Sequence, residues 1–134
     1  MKRKLLLDSF AVLTWIQDEE GAQMVEDLLY GAQRGEEQLI MNIVNVGEVY
    51  YRCARIQDLP FARHTLEKIR LLPITIMPCP NELVLHAAEI KAEYPIAYAD
   101  AFIAATALRE DAPVVTGDPE FKKLEHLVRV RWLP

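Results

Sequence analysis

The sequence predicts an α/β sandwich built around a mainly parallel sheet. Two observations predict it. Short apolar runs alternate with helical patterns along the whole chain, the order that parallel strands joined by crossover helices require. The 134 residues, 51% hydrophobic and 26% charged, suffice to bury a core. A division in two would leave pieces of about 65 residues, where burial is marginal. One domain over residues 1–134 is therefore expected.

The elements follow in order. Leu5 to Leu7 is an apolar run ended by Asp8 and Ser9, which reads as a buried strand whose last residues cap a helix. Phe10 to Ile16 forms a short helix and Glu19 to Gln33 a clearer one, with Met24, Leu28 and Ala32 in one apolar row and Val25 and Leu29 beside it. Gly35 ends that region, and Leu39 to Met41 is a second strand. Asn45 to Gln57 is a helix with Val46, Val49, Tyr50 and Cys53 on one face. Asp58-Leu59-Pro60 starts another, Phe61 to Leu72, which Pro73 stops. Ile74 to Met77 is a strand, and the Pro78-Cys79-Pro80 punctuation leads into a helix from Asn81 to Glu93. Asp100 opens a helix to Arg109 that is apolar almost all round and so belongs in the interior. Val114-Val115 and Val128 to Leu133 are the last strands.

Charge and composition exclude several functions. Fifteen basic against twenty acidic residues leave a net charge of −5, unlike a general nucleic-acid coat protein. Cys53 and Cys79 form neither a disulfide framework nor a zinc knuckle, and suit a reducing cytoplasm. No apolar run reaches the roughly 18 residues of a membrane helix, and Asp8 stops the opening run too early for a signal peptide. A cytoplasmic protein is expected.

Four acids stand in contexts where a charge is informative. Asp8 follows the first strand, and Asp118 follows Val114-Val115 within Thr116-Gly117-Asp118-Pro119-Glu120. Asp100 heads the most apolar helix, and Glu48 lies in the first turns of its own. Each has a plainer role: Asp8, Asp100 and Asp118 as helix caps, and Glu48 as a surface acid favoured by the helix dipole. In a parallel sandwich, however, all four places share one edge of the sheet, where ligands gather. Four carboxylates meeting there do not all stay ionised without a cation. Their hard oxygens select Mg²⁺ or Mn²⁺, which activates water and polarises a phosphodiester. His64, His86 and His126 lack metal-ligand spacing.

These contexts together resemble the PIN domain, specifically the VapC-type toxins of bacterial and archaeal toxin–antitoxin pairs. Leu5-Leu6-Leu7-Asp8-Ser9 is similar to the family's first motif and Asn45-Val46-Gly47-Glu48-Val49 to its second. Tyr98-Ala99-Asp100-Ala101-Phe102-Ile103-Ala104-Ala105-Thr106-Ala107 resembles the third, and Thr116-Gly117-Asp118-Pro119-Glu120-Phe121 the fourth. The resemblance covers nearly the whole chain. It implies a three-layer α/β/α fold with a mainly parallel central sheet and an endoribonuclease using one or two Mg²⁺ or Mn²⁺ ions. Asp8, Glu48, Asp100 and Asp118 would be its catalytic and metal-binding acids, with Glu120 a secondary candidate. Thr116 would lie beside the site, and Ser9 or Asn45 would hydrogen-bond the carboxylates. The resemblance also implies a homodimer and a VapB-type antitoxin whose tail packs along the site groove.

The charge fits an RNA substrate: two divalent cations on the acids bring −5 to −1. Arg52 and Arg55, with Arg63, Lys68 and Arg70 on the following helix, are candidates to hold phosphates, as are Lys122 and Lys123. Hydrolysis would leave a 3′-hydroxyl and a 5′-phosphate. Other readings stay open: a housekeeping RNA-processing PIN nuclease, cleavage of DNA, a catalytically silent nucleic-acid-binding module, or a phosphatase or phosphoryl-transfer protein using Asp8. The last lacks a second aspartate two positions after Asp8.

Overall fold

The computed structural model describes residues 2–134. The chain runs through β1 (Arg3–Leu7), α1 (Ser9–Ile16), α2 (Ala22–Gln33), β2 (Glu37–Asn42), α3 (Ile43–Ile56), α4 (Leu59–Leu71) and β3 (Ile74–Met77). It continues through α5 (Asn81–Glu93), α6 (Tyr98–Glu110), β4 (Val114–Thr116), a 3₁₀ helix (Pro119–Leu124) and β5 (Val130–Trp132). The sheet order is β3-β2-β1-β4-β5 and every pairing is parallel, so the sheet is fully rather than mainly parallel among the described residues.

The period-two alternation of the strands creates three layers. Leu5, Leu7, Leu39, Met41 and Val115 point to one face, where they pack with residues of α1 to α4 such as Val12, Leu28, Val49 and Ile69. Leu6, Ile40 and Val114 point to the other, against α5, α6 and the 3₁₀ helix. Strands buried on both faces read as continuous apolar runs, as these do. On α6 the buried side chains include Ala101, Ala104, Ala105 and Ala107, small enough for the helix to lie close on the sheet.

Several boundaries differ from expectation for local reasons. The helix expected from Glu19 starts at Ala22, because Asp18 and Gly21 take positive φ (52° and 98°) in the turn before it. α3 starts at Ile43, not Asn45, because Asn42 caps it: its Oδ1 accepts from Val44 N at 2.8 Å. α6 starts at Tyr98, so Asp100 lies inside its first turn rather than capping it. β5 is shorter than the apolar stretch from Val128 to Leu133.

From β1 the chain builds outward through β2 to β3, then returns to the other side of β1 for β4 and β5. The direction of winding therefore reverses between β1 and β4. That leaves a crevice at their carboxyl ends, the usual ligand position in such sheets.

Candidate active site

Two acids are placed at this crevice by strand ends. Asp8 follows β1 in extended conformation, and its Oδ1 accepts from Ala11 N at 2.8 Å, capping α1. Asp118 follows β4 by two residues, and its Oδ1 accepts from Glu120 N at 3.0 Å, capping the 3₁₀ helix. Its own N–H donates to Thr116 Oγ1 at 3.0 Å. The capping roles are thus real, and compatible with a second role. Gly117, between Thr116 and Asp118, lets the Phe10 ring approach: a Cβ there would stand 2.6 Å from its Cε1, and the half-exposed ring would have to move.

The other two acids come from helices on opposite faces. Glu48, on α3, is buried rather than a surface acid. Ser9 Oγ donates to its Oε1 at 2.5 Å, and Arg52 Nη2 donates to its Oε2 at 3.4 Å. Asp100, on α6, is half-buried. The helices meet through a fully buried residue that sequence reasoning misses. Asn42 caps α3 and also donates from Nδ2 to Thr106 Oγ1 on α6 at 3.0 Å. The sequence does carry a signal for it, since the polar Asn42 comes directly after the apolar run Leu39-Ile40-Met41, as Asp8 does after Leu5-Leu6-Leu7.

Glu48, Asp100, Asp118 and Glu120 line one cleft of about 350 Å³, with Ser9 and Arg52. Phe10, Leu13, Thr14 and Gln17 of the α1 region complete one wall. None of these four stands out in the sequence, because an apolar helix face reads as core. Glu19 also borders the cleft. Asp8 is 2% exposed and interacts through space with Asp100 and Asp118.

Burial first, and then the charges of Asp100 and Asp118, raise the Asp8 carboxyl from its ordinary 3.8 to about 7, against the opposing Thr116 hydroxyl and Ala11 N–H. Asp100 is raised to about 7 by burial, then by Asp118, Glu48 and Glu120, with Arg52 opposing. Among the described residues no three acidic, histidine or cysteine side chains are drawn tightly enough to enclose an ion, so the acids ring an open cleft. The donor chemistry nevertheless fits a hard divalent cation. The set is all carboxylate, and two members, Asp8 and Asp100, are held back from ionisation by burial and by neighbouring carboxylates.

The supporting residues divide. Ser9 does bond a candidate acid, whereas Asn45 does not: its Nδ2 donates to the Ala99 carbonyl at 3.2 Å. Lys123 is held by Glu120 at 2.7 Å and donates to the Pro95 carbonyl at 3.1 Å, and Lys122 is exposed. Arg55 lies over the Tyr51 ring, 5.1 Å from its centroid, and Lys68 lies over Trp15 at 4.9 Å.

The PIN domain family matches residues 5–127, spanning all four acids. The chain belongs to the PIN domain family. No curated protein sequence matches it. Among solved structures, this PIN domain is similar to a chain of VapBC2 from Rickettsia felis bound to a promoter DNA fragment. The TM-score is 0.75 and the identity 17%, over 96% of this chain and 98% of that one. DNA-bound VapBC from Salmonella typhimurium matches at 0.74 and 17%, over 98% of each chain. Mycobacterium tuberculosis VapC20, described as a Sarcin-Ricin loop cleaving toxin, matches at 0.73 and 14%, over 95% and 98%. At these identities the likeness is one of fold.

Proposed function

We propose that this PIN domain is a Mg²⁺- or Mn²⁺-dependent endoribonuclease and the toxin of a toxin–antitoxin pair. The observation that carries the reading is the convergence of Glu48, Asp100 and Asp118 on one cleft, with Asp8 electrostatically coupled to it, at the crevice between β1 and β4. Asp8, Glu48, Asp100 and Asp118 would hold the cation, with Glu120 at the rim. A bound divalent cation supplies water activation and charge neutralisation at the phosphodiester.

The chain's own residues do the rest. Ser9 fixes the orientation of Glu48 through its hydrogen bond. Thr116 favours the ionised form of Asp8 and holds the Asp118 amide. Arg52 offers a positive charge beside the acids, where a phosphate would arrive. Similarity to VapBC complexes and to a toxin described as cleaving the Sarcin-Ricin loop supports RNA as substrate and a VapB-type antitoxin as partner. A homodimer is part of the same reading. No helix among the described residues is long and apolar enough to cross a membrane. Phosphoryl transfer to Asp8 is disfavoured, because no second aspartate stands two positions after it.

The test is incubation of the purified, antitoxin-free chain with total RNA in Mg²⁺, Mn²⁺ or EDTA, beside Asp100→Asn. Metal-dependent cutting that disappears in the variant is expected. Cutting that persists in EDTA, or in folded Asp100→Asn, would overturn the reading.

A further inference from the structure

The acidic cleft does not end at Arg52. A second hollow of about 290 Å³ adjoins it, lined by Leu13, Gln17, Tyr51, Arg52, Arg55 and Ile56. Leu13, Gln17 and Arg52 border both, so the two form one continuous groove along α1 and α3. Its chemistry changes along its length, from carboxylates to an aromatic ring and two guanidinium groups. Tyr51 and Ile56 are 45% and 54% exposed, so both side chains are open to a ligand in the hollow. Arg55 covers part of the Tyr51 ring. Arg52 stands at the junction, bonded to Glu48 on the acid side.

A polyanion whose units alternate phosphate and flat aromatic base matches this order. The phosphate meets Arg52, and the base meets the Tyr51–Arg55 pair, since bases stack on aromatic rings and on guanidinium planes. We propose that this hollow holds the unpaired nucleotide next to the scissile bond, with its base against Tyr51 and Arg55 and its phosphate on Arg52. A base within a duplex is stacked on its neighbours and cannot enter this hollow, so the Tyr51–Arg55 pair would take only an unstacked base. The inference rests on the nuclease reading above. An apolar peptide segment is the competing occupant, but two arginines in a chain of net charge −5 favour an anion.

Two measurements on the full chain test it. The first is the initial rate of total-RNA cleavage in Mg²⁺ by wild type, Tyr51→Phe and Tyr51→Ala. The second is fluorescence anisotropy of a labelled single-stranded RNA octamer of random sequence, beside the same octamer as a duplex. Tyr51→Ala is expected to lower cleavage and octamer affinity about tenfold, Tyr51→Phe to stay within about twofold, and the duplex to bind more weakly than the single strand. Matching thermal melts exclude unfolding, since Tyr51 is exposed. If wild type cleaves and Tyr51→Ala cleaves and binds equally well, the groove proposal falls and the nuclease reading stands. The groove proposal falls likewise if Tyr51→Ala keeps both RNA properties but no longer binds a co-expressed antitoxin. If wild type cleaves nothing, the nuclease reading falls, and octamer binding unchanged by Tyr51→Ala would sink the groove as well.

Discussion

The two ends of the sheet treat charge in opposite ways. At the amino end, acids and bases pair across neighbouring elements: Arg3 with Glu37, Lys4 Nζ with Glu110 at 3.2 Å, and Arg129 Nη2 with Asp111 at 2.9 Å. At the carboxyl end, Asp8, Asp100 and Asp118 repel one another, and Arg52 is the basic side chain lining their cleft. Exposed pairs of the first kind contribute little, on the order of 0–1 kcal/mol each. The second arrangement costs stability while the acids stand uncompensated, and on the proposed function a divalent cation would relieve it. One edge is built for the fold and the other for a ligand.

Breaking this contrast at the carboxyl end should have the largest effect. Asp100→Asn is expected to reduce RNA cleavage by at least about 10²-fold, as loss of one electrostatic group in a nuclease site does. The same variant should melt about 2–4 °C higher than wild type in EDTA at pH 8, because a repelling charge is gone. An unchanged or lower melting temperature would show that the repulsion is not stored there.

Asn42→Ala should cost about 2 kcal/mol in urea unfolding, since it removes a helix cap and a buried hydrogen bond to Thr106 Oγ1, which keeps only its own bond to the Phe102 carbonyl. A loss below about 0.5 kcal/mol would mean that the link between α3 and α6 is dispensable.

The pH dependence of stability sharpens the comparison. The carboxyls of Asp8 and Asp100 bind protons more tightly in the folded chain, at about 7, than at their ordinary 3.8. In that interval the folded state holds more protons than the unfolded one, so stability falls as pH rises. In EDTA the melting temperature should therefore decline between about pH 4 and 7, relative to Asp100→Asn. Mg²⁺ should flatten that decline. At the amino end, Arg3→Ala should change stability by no more than about 0.5 kcal/mol, in thermal or urea unfolding, and leave cleavage untouched.

The sheet was legible because buried parallel strands must be short apolar runs, and Leu5-Leu6-Leu7 or Val114-Val115 have few other uses. The acids were legible for a related reason: a carboxylate immediately beyond such a run, or inside an alanine-rich helix, resists explanation by burial. Less legible was anything depending on contacts across the sheet. Nothing in the short helix from Phe10 marks a cleft wall: Leu13 is a core residue that also borders the cleft, and Phe10 meets it only because α1 lies beside Gly117. Asn45 is named by its motif but turns toward the Ala99 carbonyl, while Asn42, which no motif names, joins two helices from opposite layers. Such partners are 54 and 64 residues away in sequence, beyond the reach of any local pattern.

That joint has a mechanical consequence. Glu48 and Asp100 ride on helices that lie on opposite faces of the sheet, and a thermal displacement of one layer against the other would change the gap between the carboxylates. Asn42 grips both helices from inside, at Val44 N and Thr106 Oγ1. One buried side chain thus ties the start of α3 to α6 by two hydrogen bonds, and the spacing of the carboxylates those helices carry is fixed by that single tie as well as by the sheet.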